Sequence, residues 1–285
     1  MKKLLALLLM LILFTSCACG EMLPVRDYDF AGKPVTSYDS DTLKYTIVEF
    51  EHEKAFCYLT MLWMAEPGRQ IKKATAEWEK GLMLPMDMAA QVEGAALAIN
   101  GSGYVSPVFP EIPDNYPGSS PDYHYTPLGS LTITNGEIFR HLQGVPYYGL
   151  TLQQDGLHMH VGEDIEEILT HNPTQTWSFY EGCTMVQDHQ SILDTQWRFA
   201  QAKAMRTIIA KVDGNNYLLL TVTHKNVGLS LIDCVAFLQQ NFDPIWIYDL
   251  DGGPSSALMY REKGGDMQIL FGARREDADI MAFVE

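Results

Sequence analysis

Apolar and polar positions alternate with a short period along most of this chain, and the alternation is repeatedly broken by glycine, asparagine or aspartate. Tyr45 to Met64 is rich in Thr, Val, Ile, Phe and Tyr, a composition that suits a pleated, half-buried surface and predicts a pair of strands. Leu128–Thr134 and Glu137–Leu142 flank Asn135-Gly136, and Tyr147–Gln153 and Leu157–Val161 flank Asp155-Gly156. Both dipeptides tolerate positive φ, so each segment pair reads as a hairpin. Met205–Ala210 and Tyr217–Thr223, about the Asp213-Gly214 turn, repeat the pattern.

Helical periodicity is rarer. Asp87 is placed to cap a short helix through Glu93, which Gly94 ends; Ala95 to Ile99 then forms a short buried strand running into Asn100-Gly101. Ser230 and Asp233 form a capping-box signature for a helix through Gln240, with Leu231, Val235 and Leu238 on one face. Pro244 stops it, and Ile245–Leu250 is a short, nearly all-apolar strand ending in Asp251-Gly252-Gly253. Ser106–Pro127 carries six prolines and excludes regular structure; a functional lid and a rigid surface loop are both open readings. No internal repeat is apparent. The expected fold is α+β, mainly antiparallel β-sheet with a few packed helices in a single large domain.

The first 44 residues follow another pattern. Lys2 and Lys3 precede an apolar run from Leu4 to Phe14, the order of an export signal and shorter than the roughly 20 residues of a spanning helix. Thr15-Ser16-Cys17 resembles a bacterial lipobox, with Cys17 as the lipidated residue; cleavage near Ala18 or Gly20, releasing a secreted protein, is the alternative. Residues 1–20 are thus read as signal, 21–44 as a polar tether and 45–285 as the folded domain.

Charge narrows the partners. The net charge is -16, which repels a nucleic-acid backbone, so no nucleic-acid partner is expected. The only membrane contact expected is through the N-terminal lipid. Beside the lipidated Cys17, Cys19, Cys57, Cys183 and Cys234 are so widely spaced that they fit neither a disulfide framework nor a zinc site.

Several residues are able to carry chemistry. On the Ile245–Leu250 strand, alternation puts Ile245, Ile247, Asp249 and Asp251 on one face, with the two carboxylates about 7 Å apart along the chain. They suit acid, base or nucleophile work, or joint binding of a divalent cation such as calcium, although the spacing requires no cofactor; a solvated strand end is the bland alternative. Gly252 and Gly253 offer backbone N–H groups, and Ser255 and Ser256 offer hydroxyls, for phosphate or sugar oxygens. Arg206, on an otherwise small and apolar strand, is either a fork for an anionic substrate or a salt-bridge partner of Asp249 or another carboxylate. His158 and His160 share a strand face without a recognisable third metal ligand, and two exposed hairpin histidines are the expectation.

The segment MRTIIAKVDGNNYLLLTVTHKNVGLSLIDCVAFLQQNFDPIWIYDLDGGPSSALMY, Met205 to Tyr260, resembles the C-terminal half of the phosphodiester glycosidase domain. The likeness rests on an Arg-Thr strand, an Asp-Gly hairpin, a helix capped after Gly-Leu and the Leu-Asp-Gly-Gly-x-Ser-Ser signature. AINGSGY, upstream and in the family's order, resembles its Asn-Gly-Gly-Phe-like motif, so the resemblance runs from about Ala95 onward. Ser102 stands where a second glycine is usual, and Met205 where proline often precedes the arginine. The resemblance implies an exported hydrolase that cuts the C1–O bond of a sugar-1-phosphodiester in envelope or host glycans. It implies Asp251, Asp249 and Arg206 as catalytic, and Asn100, Gly101, Tyr104, Gly252, Gly253, Ser255 and Ser256 as substrate-binding. A non-catalytic envelope polysaccharide-binding lipoprotein on the same fold is the alternative.

Overall fold

The computed structural model describes residues 32–77, 80–105, 125–223 and 227–285. The signal and lipobox, with Cys17, lie outside these residues, as does most of the proline-rich loop. In chain order the first strands are β1 (Lys33–Asp39), β2 (Leu43–His52), β3 (Ala55–Met64), β4 (Ile71–Thr75) and β5 (Ala95–Asn100). Next come β6 (Tyr104–Val105), β7 (Thr126–Pro127), β8 (Leu131–Thr134), β9 (Glu137–His141), β10 (Tyr147–Gln153), β11 (Gly156–Glu163) and β12 (Gln175–Trp177). The remainder are β13 (Thr184–Gln187), β14 (Gln190–Ser191), β15 (Arg206–Asp213), β16 (Asn216–Val222), β17 (Trp246–Asp249), β18 (Leu258–Arg261), β19 (Met267–Phe271) and β20 (Asp279–Val284). Helices are α1 (Pro67–Gln70), α2 (Pro85–Ala90), α3 (Ile165–Leu169), α4 (Arg198–Gln201) and α5 (Leu231–Phe242).

Two antiparallel sheets form a sandwich. The larger has the order β1-β2-β3-β16-β15-β17-β13-β14, and the smaller β19-β18-β5-β20-β4. Between them lies a core of alternate residues from facing strands: Tyr45, Ile47, Ile209, Leu219, Tyr248 and Leu250 from one, Leu97, Ile99, Leu258, Met281 and Phe283 from the other. The three-stranded β11-β10-β12 sheet adds Leu150, Leu152 and Trp177 to the same core. The opposite face of the larger sheet, with Leu59, Ile208, Leu220 and Ile247, is covered by Leu231, Cys234, Val235 and Leu238 of α5. The outer face of the smaller sheet, with Ala98, Met259 and Ile280, is covered by Met88 and Ala89 of α2. The layers run helix, sheet, sheet, helix, and the mainly antiparallel α+β expectation holds.

The strand pair from Tyr45, the hairpins at Asn135-Gly136 and Asp155-Gly156, and the β15–β16 hairpin lie where the alternation predicts them. The capping box of α5 is complete: the Ser230 hydroxyl accepts from the Asp233 amide at 3.0 Å while Asp233 accepts from the Ser230 amide. Three expectations are corrected. Residues 33–39 of the assigned tether form edge strand β1, paired with β2, because Tyr38 packs into the core against Tyr45. Asp87 does not cap its helix: Leu84 is the N-cap and Pro85 opens the first turn, where a missing N–H is harmless. The hairpin histidines are not both exposed, since His160 is 5% exposed and bonded to Thr151 and Glu163.

Candidate active site

The ends of β17 and β5 meet at one edge of the sandwich, and a fully buried asparagine ties them together. Asn100 Nδ2 donates to the Asp251 carbonyl at 2.6 Å; its Oδ1 accepts from the Thr207 hydroxyl at 2.7 Å and the Ala257 amide at 2.9 Å. The Asp251 amide in turn donates to the Gly101 carbonyl at 3.0 Å. Asn100 therefore spends its amide inside the protein, shaping the site rather than reaching a ligand. Gly101 is required by close approach, since an added Cβ would lie 1.9 Å from Asp279 Oδ1. That oxygen also accepts from the Ser102 amide at 2.7 Å, while Asp279 Oδ2 pairs with Lys73 at 3.0 Å, both side chains 1% exposed. The Ser102 hydroxyl accepts from the Ser178 amide, so the serine that replaces the usual glycine is absorbed without strain.

Asp249 and Asp251 part company at the strand's end. The Asp249 carboxylate lies 3.5 Å from Arg206, with side-chain exposures of 0% and 2%, on the sheet face that carries α5. Arg206 Nη2 also donates to the carbonyls of Phe199 and Ala202 at 3.0 and 2.8 Å, and the guanidinium lies over the Phe199 ring. Of the two roles open to Arg206, ion pairing with Asp249 is the one its geometry serves. Burial is the main cause pushing Asp249 up to about 7, opposed by the Arg206 charge. Sealed in this way, Asp249 is not placed to share a cation with Asp251.

Asp251 faces a different set. Its Oδ1 accepts from the Gly252 amide at 2.8 Å, and burial pushes its pKa up to about 6, with Ser255 and Arg275 opposing. Asp277 lies across from it, 2% exposed, with both carboxylate oxygens lacking a hydrogen bond. Burial, followed by the Asp251 charge, pushes Asp277 well above the usual carboxylate range. The Ser255 hydroxyl approaches both carboxylates without closing a well-formed hydrogen bond to either. Tyr104 completes the cluster: its pKa is pushed up to about 12, first by burial and then by the Asp277 charge, and its ring lies beneath the Arg275 guanidinium at 5.4 Å. Among the described residues, no group of three or more His, Cys, Asp or Glu is arranged to hold a metal ion.

The glycine loop is shaped by close approaches and by its own backbone geometry. Gly252 allows close approach to the Met205 carbonyl, 2.9 Å from an added Cβ, and Gly253 sits at φ +60°. The Gly252 amide is taken by Asp251, the Gly253 amide by Met205, and the Ser255 and Ser256 amides by Gly252 and Gly253. The amides of the expected N–H cradle thus donate to acceptors of the protein itself, and Ser255 and Ser256 are both buried.

Residues 93–284 match the phosphodiester glycosidase family. The chain belongs to that family. Among curated proteins, none matches it by sequence. Its fold is similar to that of the catalytic domain of zebrafish N-acetylglucosamine-1-phosphodiester alpha-N-acetylglucosaminidase, auto-inhibited by its pro-peptide, with TM-score 0.63 and 15% identity over 90% of this chain and 88% of that one. It is also similar to a hypothetical protein from Synechocystis, with TM-score 0.55 and 12% identity over 90% of this chain and 64% of that one. Within the phosphodiester glycosidase domain, the fold thus brings Asp251, Ser255, Gly252 and Tyr104 together, sets Asn100 and Gly101 behind them, and draws Asp249 and Arg206 into the core.

Asp277 and Arg275 escape a sequence reading built on the two glycine-bearing motifs. Their signal was nevertheless present, since Asp277 and Asp279 stand at i and i+2 before an all-buried apolar run, the mirror of Asp249 and Asp251 after one.

Proposed function

We propose that this protein hydrolyses the C1–O bond of a sugar-1-phosphodiester, with Asp251 and Asp277 as the working carboxylates. The observation that carries the proposal is the pairing of a partly exposed Asp251 with a buried Asp277 whose oxygens have no hydrogen bond. Two carboxyl groups held at different affinities for a proton divide the labour of acid and base. Asp277, kept protonated by burial, donates a hydrogen bond or a proton to the departing phosphate oxygen. Asp251, ionised above about pH 6, acts at the anomeric carbon as nucleophile or activates water there. Phosphate is a good leaving group, so its negative charge needs an opposing cation more than full protonation, and Arg275 beside both carboxylates supplies it. Arg206 and Asp249 act from behind, holding the end of β17 in place.

The substrates proposed are envelope or host glycans bearing such a diester, met outside the cytoplasm by a protein exported through residues 1–20 and anchored by lipid on Cys17. Cys17→Ser would then move the protein from the membrane fraction to the soluble exported fraction; an unchanged distribution would dismiss the anchor.

Incubation with a synthetic sugar-1-phosphate methyl diester in oxygen-18 water tests the reaction. Label is expected at C1 of the released sugar, and kcat/KM is expected to fall below pH 6 as Asp251 takes up its proton. Label only in phosphate, or no turnover, would overturn the glycosidase reading.

A further inference from the structure

Four aromatic rings lie beside the carboxylate site, and the chemistry proposed above makes no use of them. Phe179 and Tyr180 follow β12, while Trp197 and Phe199 belong to the start of α4. Phe179 and Tyr180 have ring centroids 4.4 Å apart, and Trp197 and Phe199 lie 4.8 Å apart. Tyr180 stands edge-on to Trp197 and to Phe199, at 6.5 and 5.7 Å. The cluster is not closed over. Tyr180 is 45% exposed, and the other three rings are partly exposed.

Its walls are shared with the site. An added Cβ on Gly103, next to Tyr104, would lie 2.1 Å from the Phe179 ring, so that ring rests on the AINGSGY loop. The Phe179 amide is fixed by the Tyr248 hydroxyl at 2.7 Å. Phe199 carries the Arg206 guanidinium, and the neighbouring Met205 carbonyl receives the Gly253 amide. The backbone of Gly182 lies flat against Trp197, where a Cβ would come within 2.6 Å of the indole. Phe179 is therefore held on the AINGSGY loop and Phe199 on Arg206, and Tyr180 and Trp197 pack against these two rings.

The rim is polar and of mixed charge: Glu181, Asp194, Thr195, Gln196 and Arg198 are all exposed. An apolar protein partner would need a wider greasy patch, and a polyanionic glycan would meet Glu181 and Asp194. A neutral sugar ring fits, with C–H faces that stack on aromatic rings and hydroxyls that meet a polar rim.

We propose that Tyr180, Trp197 and Phe199 form a shelf that binds a second, uncharged sugar ring of the substrate, next to the ring whose C1–O bond is cut. The inference rests on the glycosidase reading for its choice of ligand, but the shelf binds saccharide whether or not a diester is present.

Saturation-transfer NMR and titration with three uncharged tetrasaccharides, chitotetraose, maltotetraose and xylotetraose, provide the test. At least one is expected to bind, with saturation concentrated on the ring C–H protons. Tyr180→Ala and Tyr180→Leu are each expected to weaken binding about 10-fold, the scale of a lost ring contact, whereas Tyr180→Phe keeps it within about 3-fold. Leucine preserves apolar packing, so loss in both variants separates the ring face from folding. Asp251→Asn is expected to abolish hydrolysis of the diester and leave tetrasaccharide binding unchanged. Absence of binding by all three saccharides, or equal binding by wild type and Tyr180→Leu, would overturn the shelf. Binding that depends on Tyr180 in a protein without diester hydrolysis would keep the shelf and remove only the chemistry.

Discussion

Asp249 and Asp251 stand two residues apart at the end of β17, yet they meet opposite surroundings. Asp249 is sealed against Arg206 beneath α4, and its charge is spent within the fold. Asp251 emerges past the last β17 position into a cluster whose other carboxyl, Asp277, is buried without a hydrogen bond. Both are pushed upward by burial, but only Asp249 has a full buried counter-ion as its main opposing influence. Shared strand face and close spacing therefore do not make two carboxylates a functional pair. What surrounds each one decides, and here Asp251 finds its partner on β20's approach rather than on its own strand.

The largest effect expected from this contrast is in Asp251→Asn, which should lower kcat/KM on a phosphodiester by about 1,000-fold, roughly 4 kcal/mol, with no loss of thermal stability. Near wild-type turnover would erase the distinction between the two carboxylates. Next is Arg206→Met, which leaves Asp249 buried without its cation and should cost about 3 kcal/mol in urea unfolding. Were it instead to leave stability intact and raise KM for the diester alone, Arg206 would belong to the substrate after all. Gly101→Ala should cost about 2 kcal/mol, because its Cβ collides with the Asp279 carboxylate that holds Lys73.

The smallest effect concerns pH. Asp251 has a folded pKa of about 6, above the usual 3.8, so its contribution to stability is full below pH 4 and is lost as pH rises through 6. Wild type should thus lose about 1 to 2 kcal/mol relative to Asp251→Asn between pH 4 and 7.5, an amount discounted for partial exposure. Parallel stability curves for the two proteins would contradict this.

Most of the fold is legible in the chain because the turns are marked locally: Asn135-Gly136, Asp155-Gly156 and the Ser230–Asp233 capping box each specify an element within a few residues. Edge strand β1 was not legible, since its burial depends on Tyr38 meeting Tyr45 across a register set elsewhere. The site divides in the same way. Asp251, Ser255 and Tyr104 sit in recognisable motifs, whereas the pairing of Asp251 with Asp277 is created only when β20 enters beside β5. Arg206 misleads for the opposite reason: a lone cation on an apolar strand looks poised for an anion, and only the fold shows its Nη2 donating to two carbonyls at α4 and its charge facing Asp249.

The position of β20 has a bearing on how the molecule comes into being. It lies between β4 and β5 in the smaller sheet, and Asp279 bonds to Ser102, 177 positions earlier. Two neighbours that precede it by so much must wait, with an open seam between them, until it arrives. Contacts of such long sequence separation form late and slow the folding of a domain. A chain emerging from a ribosome would therefore hold Asp251 and Asp277 apart until that seam closes.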